Sequence, residues 1–312
     1  MTAQTQRTET KEIVNLISGR ISSALAVSLS TPGMAQRKRA DADGEDGRMV
    51  GLSAGDGDLG LAVWGSYSHN WLANNWTATK SNTGLNSGIV GGDVRIRDNI
   101  LAGLTVTNQA SGATTKFNNG SIDSSGFTFT PYGAISFLDD RLVLDLMTGV
   151  GQNSTDTTRL SGLVRGSYSG EQWLLATHAT YNVPVDNWTL SGKVGWASSY
   201  GWGDSYVESN GSINGAQVSR LGEISVGGRA AYTVGGFEPY LGLTFAYDPI
   251  LSSTSTAAVP TTSKASRREL DGVLGLNWMA TDRLTASAEA GYMFFRTNEE
   301  NISVLASARY AF

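Results

Sequence analysis

The chain has 312 residues, no cysteine and a net charge of −5, which excludes a disulfide framework, a thiolate metal site and the basic stripe that nucleic acid requires. Only 16% of the residues are charged, and 38 are glycine against 6 proline, a profile of many strands joined by small-residue turns. No stretch approaches the ~20 unbroken apolar residues of a transmembrane helix.

Residues 1–7 read as a disordered start. The opening MTAQTQRTETKEIVNLISGR has neither the basic n-region nor the apolar h-region of a signal peptide, so either the protein is cytoplasmic or a leader lies upstream of Met1. Residues 8–29 place Ile13, Leu16, Ile17, Ile21, Ala24, Leu25 and Leu29 at helical spacing, with Thr8 or Thr10 as N-cap and Pro32-Gly33 beyond the end. Such a helix is roughly 30 Å long. Residues 30–58 are polar, glycine-bearing and charged in blocks, the composition of a linker.

From Leu59 onward, twelve segments alternate with period two: 59–67, 87–97, 99–108, 124–138, 141–153, 164–183, 187–204, 216–234, 236–248, 267–280, 283–297 and 301–312. In the ninth, Phe237, Leu241, Leu243, Phe245 and Tyr247 oppose Glu238, Thr244 and Asp248. The gaps alternate strictly between short and long, the longer ones falling at 68–86, 109–123, 154–163, 205–215 and 249–266. That is an up-and-down meander with tight turns at one end and loops at the other. The apolar parity carries aromatics near the strand ends (Tyr67, Trp173, Tyr181, Trp188, Trp202, Trp278, Tyr292), whereas the polar parity is rich in glycine, serine and charge. Aromatic girdles, an apolar band and a polar interior describe an outer-membrane barrel. A sheet in lipid must close on itself because an open edge leaves amides unpaired. The expected fold is therefore an all-β membrane protein, a twelve-stranded antiparallel up-and-down transmembrane β-barrel over 59–312 with an N-terminal α-helix in its lumen.

The helix EIVNLISGRISSALA, the polar linker, the twelve strands with hairpins such as WTLSGKVGWASSYGWGDSYVESNG, and the aromatic end together resemble the C-terminal translocator domain of monomeric bacterial autotransporters (type V secretion). The resemblance spans nearly the whole chain. It implies a barrel in the bacterial outer membrane that exports and anchors an N-terminal passenger, with the helix afterwards in the lumen. It also implies the lipid bilayer, the outer-membrane assembly machinery, periplasmic chaperones and its own passenger as partners, a monomer, and no cofactor. Tyr310-Ala311-Phe312 resembles the C-terminal signal read by that machinery. No passenger precedes the helix, so the chain reads as an excised translocator or a product with almost no cargo. The adjacent asparagines at which some members cut their own helix are absent, and Asn15 stands alone.

With the polar parity inward, the lumen holds Asp93, Arg95, Asp145, Lys193, Glu223, Arg229, Glu238, Glu269, Asp271, Glu289 and Arg309, seven acids against four bases. The helix offers Arg7, Lys11 and Arg20 against Glu9 and Glu12. Lys11 and Arg20 are the candidates for pairing with lumenal carboxylates and holding the helix as a plug; the alternative is that the wall charges pair among themselves. Two further classes compete with this reading, a general porin and a hydrolase on a barrel scaffold. A hydrolase needs a histidine with a carboxylate or an activated serine. The two histidines are His69, placed where strand one becomes loop with Asp156 or Asp204 as conceivable partners, and His178, mid-strand on the polar parity. The one GxSxG match, Gly51-Leu52-Ser53-Ala54-Gly55, falls in the polar stretch that reads as linker rather than between a strand and a helix, and no HExxH sequence occurs; no catalytic or metal-ligating residue is assigned.

Overall fold

A computed structural model describes residues 3–25, 60–254 and 266–312. A single helix, α1 (Ala3–Leu25), precedes the sheet. The strands are β1 (Leu61–Asn74), β2 (Ser81–Arg97), β3 (Ile100–Thr115), β4 (Gly120–Phe137), β5 (Leu142–Arg159), β6 (Val164–Val185), β7 (Trp188–Gly203), β8 (Tyr206–Val207), β9 (Ile213–Asn214), β10 (Gln217–Tyr232), β11 (Phe237–Thr254), β12 (Arg268–Met279), β13 (Leu284–Phe294) and β14 (Glu299–Ala311). β8 and β9 form a separate two-stranded ribbon, and the other twelve close into an antiparallel barrel in which each strand pairs with its neighbours in chain order. Closure comes from thirteen residue pairs between β1 and β14, from Ala62 with Ala311 to Asn74 with Glu299. The Phe312 amide adds a 3.1 Å hydrogen bond to the Leu61 carbonyl.

The alternation resolves as the sequence implies. On β11, Phe237, Leu241, Leu243, Phe245 and Tyr247 are exposed on the outer face, while Tyr240, Ala246 and Asp248 are buried toward the lumen. Ten residues separate Phe237 from Tyr247; at about 3.4 Å each and a tilt near 40° they rise about 26 Å, the height of a barrel's apolar band. Aromatic pairs mark both margins: Trp188–Tyr232 (centroids 4.9 Å apart) and Phe237–Trp278 (6.4 Å) at the turn end, Tyr200–Trp202 (5.4 Å) and Tyr292–Phe294 (4.6 Å) at the other. Inward glycines make room for lumenal rings. A Cβ on Gly103 would lie 2.3 Å from the Tyr132 ring, and one on Gly275 2.3 Å from the Tyr240 ring. In both cases tyrosine and glycine face each other across paired strands.

Three expectations change. The helix begins at Ala3 rather than residue 8, taking in most of the expected disordered start, and both proposed caps, Thr8 and Thr10, lie inside it; the added turn is held by lumenal partners described below. Residues 26–29, Pro32-Gly33 and the linker fall outside the described residues. The connections expected at 68–86, 109–123 and 154–163 shrink to 75–80, 116–119 and 160–163, because the strands run on past the apolar band. Above that band the outward side chains no longer meet lipid and become serine, threonine and asparagine. The alternation fades there although the hydrogen-bonded ladder continues, as in β5–β6, which pair from Leu142–Tyr181 up to Arg159–Val164.

Candidate functional site

α1 lies inside the barrel, and its two ends are marked by different partners. Near its C-terminal end, Arg20 donates from Nε (2.9 Å) and Nη2 (2.6 Å) to the two oxygens of Asp93. Arg95 donates to the Ala24 carbonyl, covering one of the acceptors that a helix end leaves open. Asp93 and Arg95 sit just before the tight β2–β3 turn. Near the N-terminal end, Arg7 reaches Asp248 (3.1 Å), Glu223 (3.2 Å) and Glu269, while Lys11 contacts Glu269 and Asp271 (2.6 Å). Arg296 joins from the wall, 3.1 Å from both Asp248 and Glu269. Asp248 and Glu269 flank the loop at the opposite end of the barrel. The helix therefore threads the lumen with its N-terminus at the loop end and its C-terminus at the turn end.

Between these ionic ends the contact is apolar. Ile13, Ile17 and Ile21, spaced four residues apart on one helix face, are fully buried against Ile89, Leu101, Val143, Met147, Leu174 and Ala176. These wall residues point inward from β2 to β6, the side of the lumen against which the helix packs. Burial of this kind returns about 1.5–3 kcal/mol per large aliphatic side chain. The opposite helix face, with Asn15 and Gly19 exposed, looks onto a cavity of about 510 Å³ lined by Lys193, Arg229, Glu238 and Glu289 among others. The helix is seated off-centre, apolar against apolar, with water-accessible space on its other side.

At mid-height, Ser18 donates to Asp145 Oδ2 (3.1 Å), and His178 Nδ1 lies 2.8 Å from Asp145 Oδ1. Serine and histidine thus both address the carboxylate and not each other. A nucleophilic relay needs the histidine as the serine's base, and this arrangement does not supply it. His69 is a correction: it lies within β1, on the lipid-facing parity. There Nδ1 lies 2.8 Å from Asn86 Oδ1 and the ring packs edge-on against Trp71, so its polar partner is Asn86 rather than Asp156 or Asp204. Its place in the strand follows from the longer β1.

All eleven expected lumenal charges face inward, and the helix brings five of them together: Asp93, Arg95, Glu223, Glu269 and Asp271. Asp145 meets the helix through Ser18. Arg229 pairs instead with Glu238 (2.9 Å) and lies 3.9 Å over the Tyr240 ring, while Lys193, Glu289 and Arg309 line the cavity. Beyond the expected pair Lys11 and Arg20, the structure adds Arg7, Asp248 and Arg296 to the site. Asp248 could have been found, since it continues the inward parity of β11. Tyr310 and Phe312 are exposed on the outer face, their rings 5.1 Å apart.

A family model described as the autotransporter beta-domain matches residues 63–291. No curated protein sequence matches the chain. Among solved structures, the translocator domain of the autotransporter NalP from Neisseria meningitidis superposes with a TM-score of 0.72 at 16% identity, covering 89% of this chain and 95% of its own. The beta domain of the Bordetella autotransporter BrkA gives 0.64 at 14% identity, with 81% and 99% covered. The transport unit of the autotransporter AIDA-I from Escherichia coli gives 0.59 at 14%, with 81% and 89% covered.

Proposed function

The chain belongs to the autotransporter beta-domain family of outer-membrane translocators, and from that premise we propose that its helix and barrel divide the work of exporting and anchoring an N-terminal passenger. The observation that carries this reading is the polarity of α1. Its N-terminus stands at the loop end, where Arg7 meets Asp248 and Glu269, and its C-terminus at the turn end, where Arg20 meets Asp93. In barrels of this class the longer loops face outside and the turns face the periplasm. A passenger joined ahead of α1 emerges on the outside, while the C-terminal end of α1 and the first residues of β1 both stand at the turn end, on the periplasmic side.

In this reading α1 is a plug retained after export. Lys11 and Arg20, with Arg7, fix its height, and the Ile13–Ile17–Ile21 stripe fixes its rotation. The ion pairs supply register more than net stability, since buried pairs roughly offset their own desolvation. The domain boundaries follow: plug helix, linker, translocator barrel. The work is transport by shape, without a catalytic step. Tyr310 and Phe312 serve recognition by the assembly machinery, with periplasmic chaperones keeping the unfolded barrel soluble beforehand.

The test is to join a short epitope ahead of Ala3 and to probe intact cells with antibody and external protease. The epitope should be surface-accessible whenever the barrel is folded. An epitope reachable only after the outer membrane is permeabilised, with the barrel folded, would contradict the proposal.

A further inference from the structure

The outer face of the barrel carries an unusual pair of charges. On β7, β10, β11 and β12, four adjacent strands, every outward side chain among the described residues is uncharged except Arg220 and Arg268, and both of these are exposed. They stand at the loop-end margin of the apolar band. The Arg220 guanidinium lies 5.2 Å from the Tyr200 ring centroid, and that of Arg268 lies 6.0 Å from the Tyr247 ring. Four of the inward arginines, Arg7, Arg20, Arg229 and Arg296, each contact a carboxylate, and Arg95 bonds the Ala24 carbonyl; among the described residues, Arg220 and Arg268 contact no carboxylate. What sets these two apart is their place: cations on the otherwise uncharged outer face of four strands, at the margin of the apolar band, which points to an anion from outside the chain.

The surroundings define that anion. A guanidinium resting on an aromatic face keeps its N–H edge for a planar or tetrahedral oxyanion, and phosphate suits the fork. Below the two arginines the same sector presents Ile224, Val226, Leu243, Phe245 and Leu274 to hydrocarbon, so the ligand has acyl chains beneath an anionic head. Arg220 faces Ser252 on β11, and Arg268 faces Tyr247 on the same strand. Two strand spacings and five residues along the strand place the Cα atoms about 20 Å apart, too far for both to grip one phosphate.

We propose that this sector binds phosphate-bearing lipids of the outer leaflet, one phosphate at each guanidinium. The inference rests on the loop end facing outward, as in the translocator reading. Three folded proteins in mild detergent test it by native mass spectrometry: the full chain, its Arg220→Gln/Arg268→Gln variant, and an Arg141→Gln/Arg283→Gln variant altered at the turn end. The ligands are a diphosphorylated glycolipid, the same lipid after enzymatic dephosphorylation, and inorganic phosphate alone. Losing charge-assisted contacts should weaken retention of the phosphorylated lipid at least about tenfold in the first variant. The turn-end variant should bind like the parent, and inorganic phosphate should not compete at equal concentration. Equal binding of the dephosphorylated lipid, unchanged binding by the Arg220→Gln/Arg268→Gln variant, or full competition by free phosphate would each overturn the proposal. Since all three proteins are first checked for a folded barrel and surface display of the epitope, such a failure leaves the export reading intact.

Discussion

The apolar seat, rather than the ion pairs, should decide how firmly α1 stays in the lumen, and the double substitution Ile17→Ala/Ile21→Ala isolates it. Both side chains are fully buried against the β2–β6 wall. Each loses three carbons, about 2.4 kcal/mol at ~0.8 kcal/mol per buried methylene, and large-to-small core changes of this kind cost about 2–5 kcal/mol once the cavity left behind is included. The two sites are one helical turn apart and share that cavity, so their sum is taken at the transfer term alone, about 4.8 kcal/mol. At 1.4 kcal/mol per decade that raises the ratio of undocked to docked helix about a few thousandfold. Single-channel recording in planar bilayers reads this ratio as the fraction of time spent in a high-conductance state. Both alanines favour helix, so loss of helicity does not confuse the result. An unchanged open fraction in a barrel that still migrates as folded would refute the claim that apolar packing seats the plug.

Other substitutions separate the remaining contributions. Lys11→Glu/Arg20→Glu sets like charges against Glu269, Asp271 and Asp93, and should also raise the open fraction; unchanged conductance would defeat ionic registration of the helix. Arg7→Met removes one of the cations shared by Glu223, Asp248 and Glu269, which keep Lys11 and Arg296, and should cost about 1.5–3 kcal/mol of helix docking, the range for a hydrogen bond to a charged group; an open fraction no higher than the parent's would contradict it. Phe312→Ala should lower the yield of barrel in outer-membrane fractions more than it lowers the melting temperature of refolded barrel, since the ring is exposed and only its amide pairs with Leu61; equal yields would contradict this. Gly195→Ala puts a methyl 2.2 Å from a His178 ring carbon, and should destabilise the barrel by about 1–3 kcal/mol in urea titration; a neutral result would mean that the ring swings away freely.

Much of this architecture was legible because lipid enforces it. A strand such as β11 cannot place Leu241, Leu243 and Phe245 anywhere but in hydrocarbon, so parity revealed both the sheet and its orientation. The loop-end strand limits were not legible, because that enforcement stops above the band, where Ser154 and Asp156 alternate with Thr155 and Thr157 and nothing apolar keeps count. The inner wall was half legible. Acids such as Glu223 and Glu269 announced a lumen, but Ile89, Leu101, Val143 and Leu174 lie on the same inward parity and break its polar pattern. They make sense only against the Ile13–Ile17–Ile21 stripe, which the sequence displayed without its counterpart. Arg7 was misplaced because a polar chain start gives no local reason to stay ordered; its order comes from β10, β11 and β12, some 216 to 262 positions away.

Lumen and lipid face are told apart by which way the two parities of each strand point, and the absence of native cysteine makes a direct measurement possible. Single cysteines introduced in turn at positions 237–247 of β11, spin-labelled in liposomes, report collision rates with oxygen and with a water-soluble nickel complex. Oxygen accessibility should peak at 237, 241, 243, 245 and 247, with nickel accessibility higher at 238, 242 and 244. The opposite phase, or no alternation across the strand, would contradict a barrel with its apolar face in lipid and α1 in its lumen.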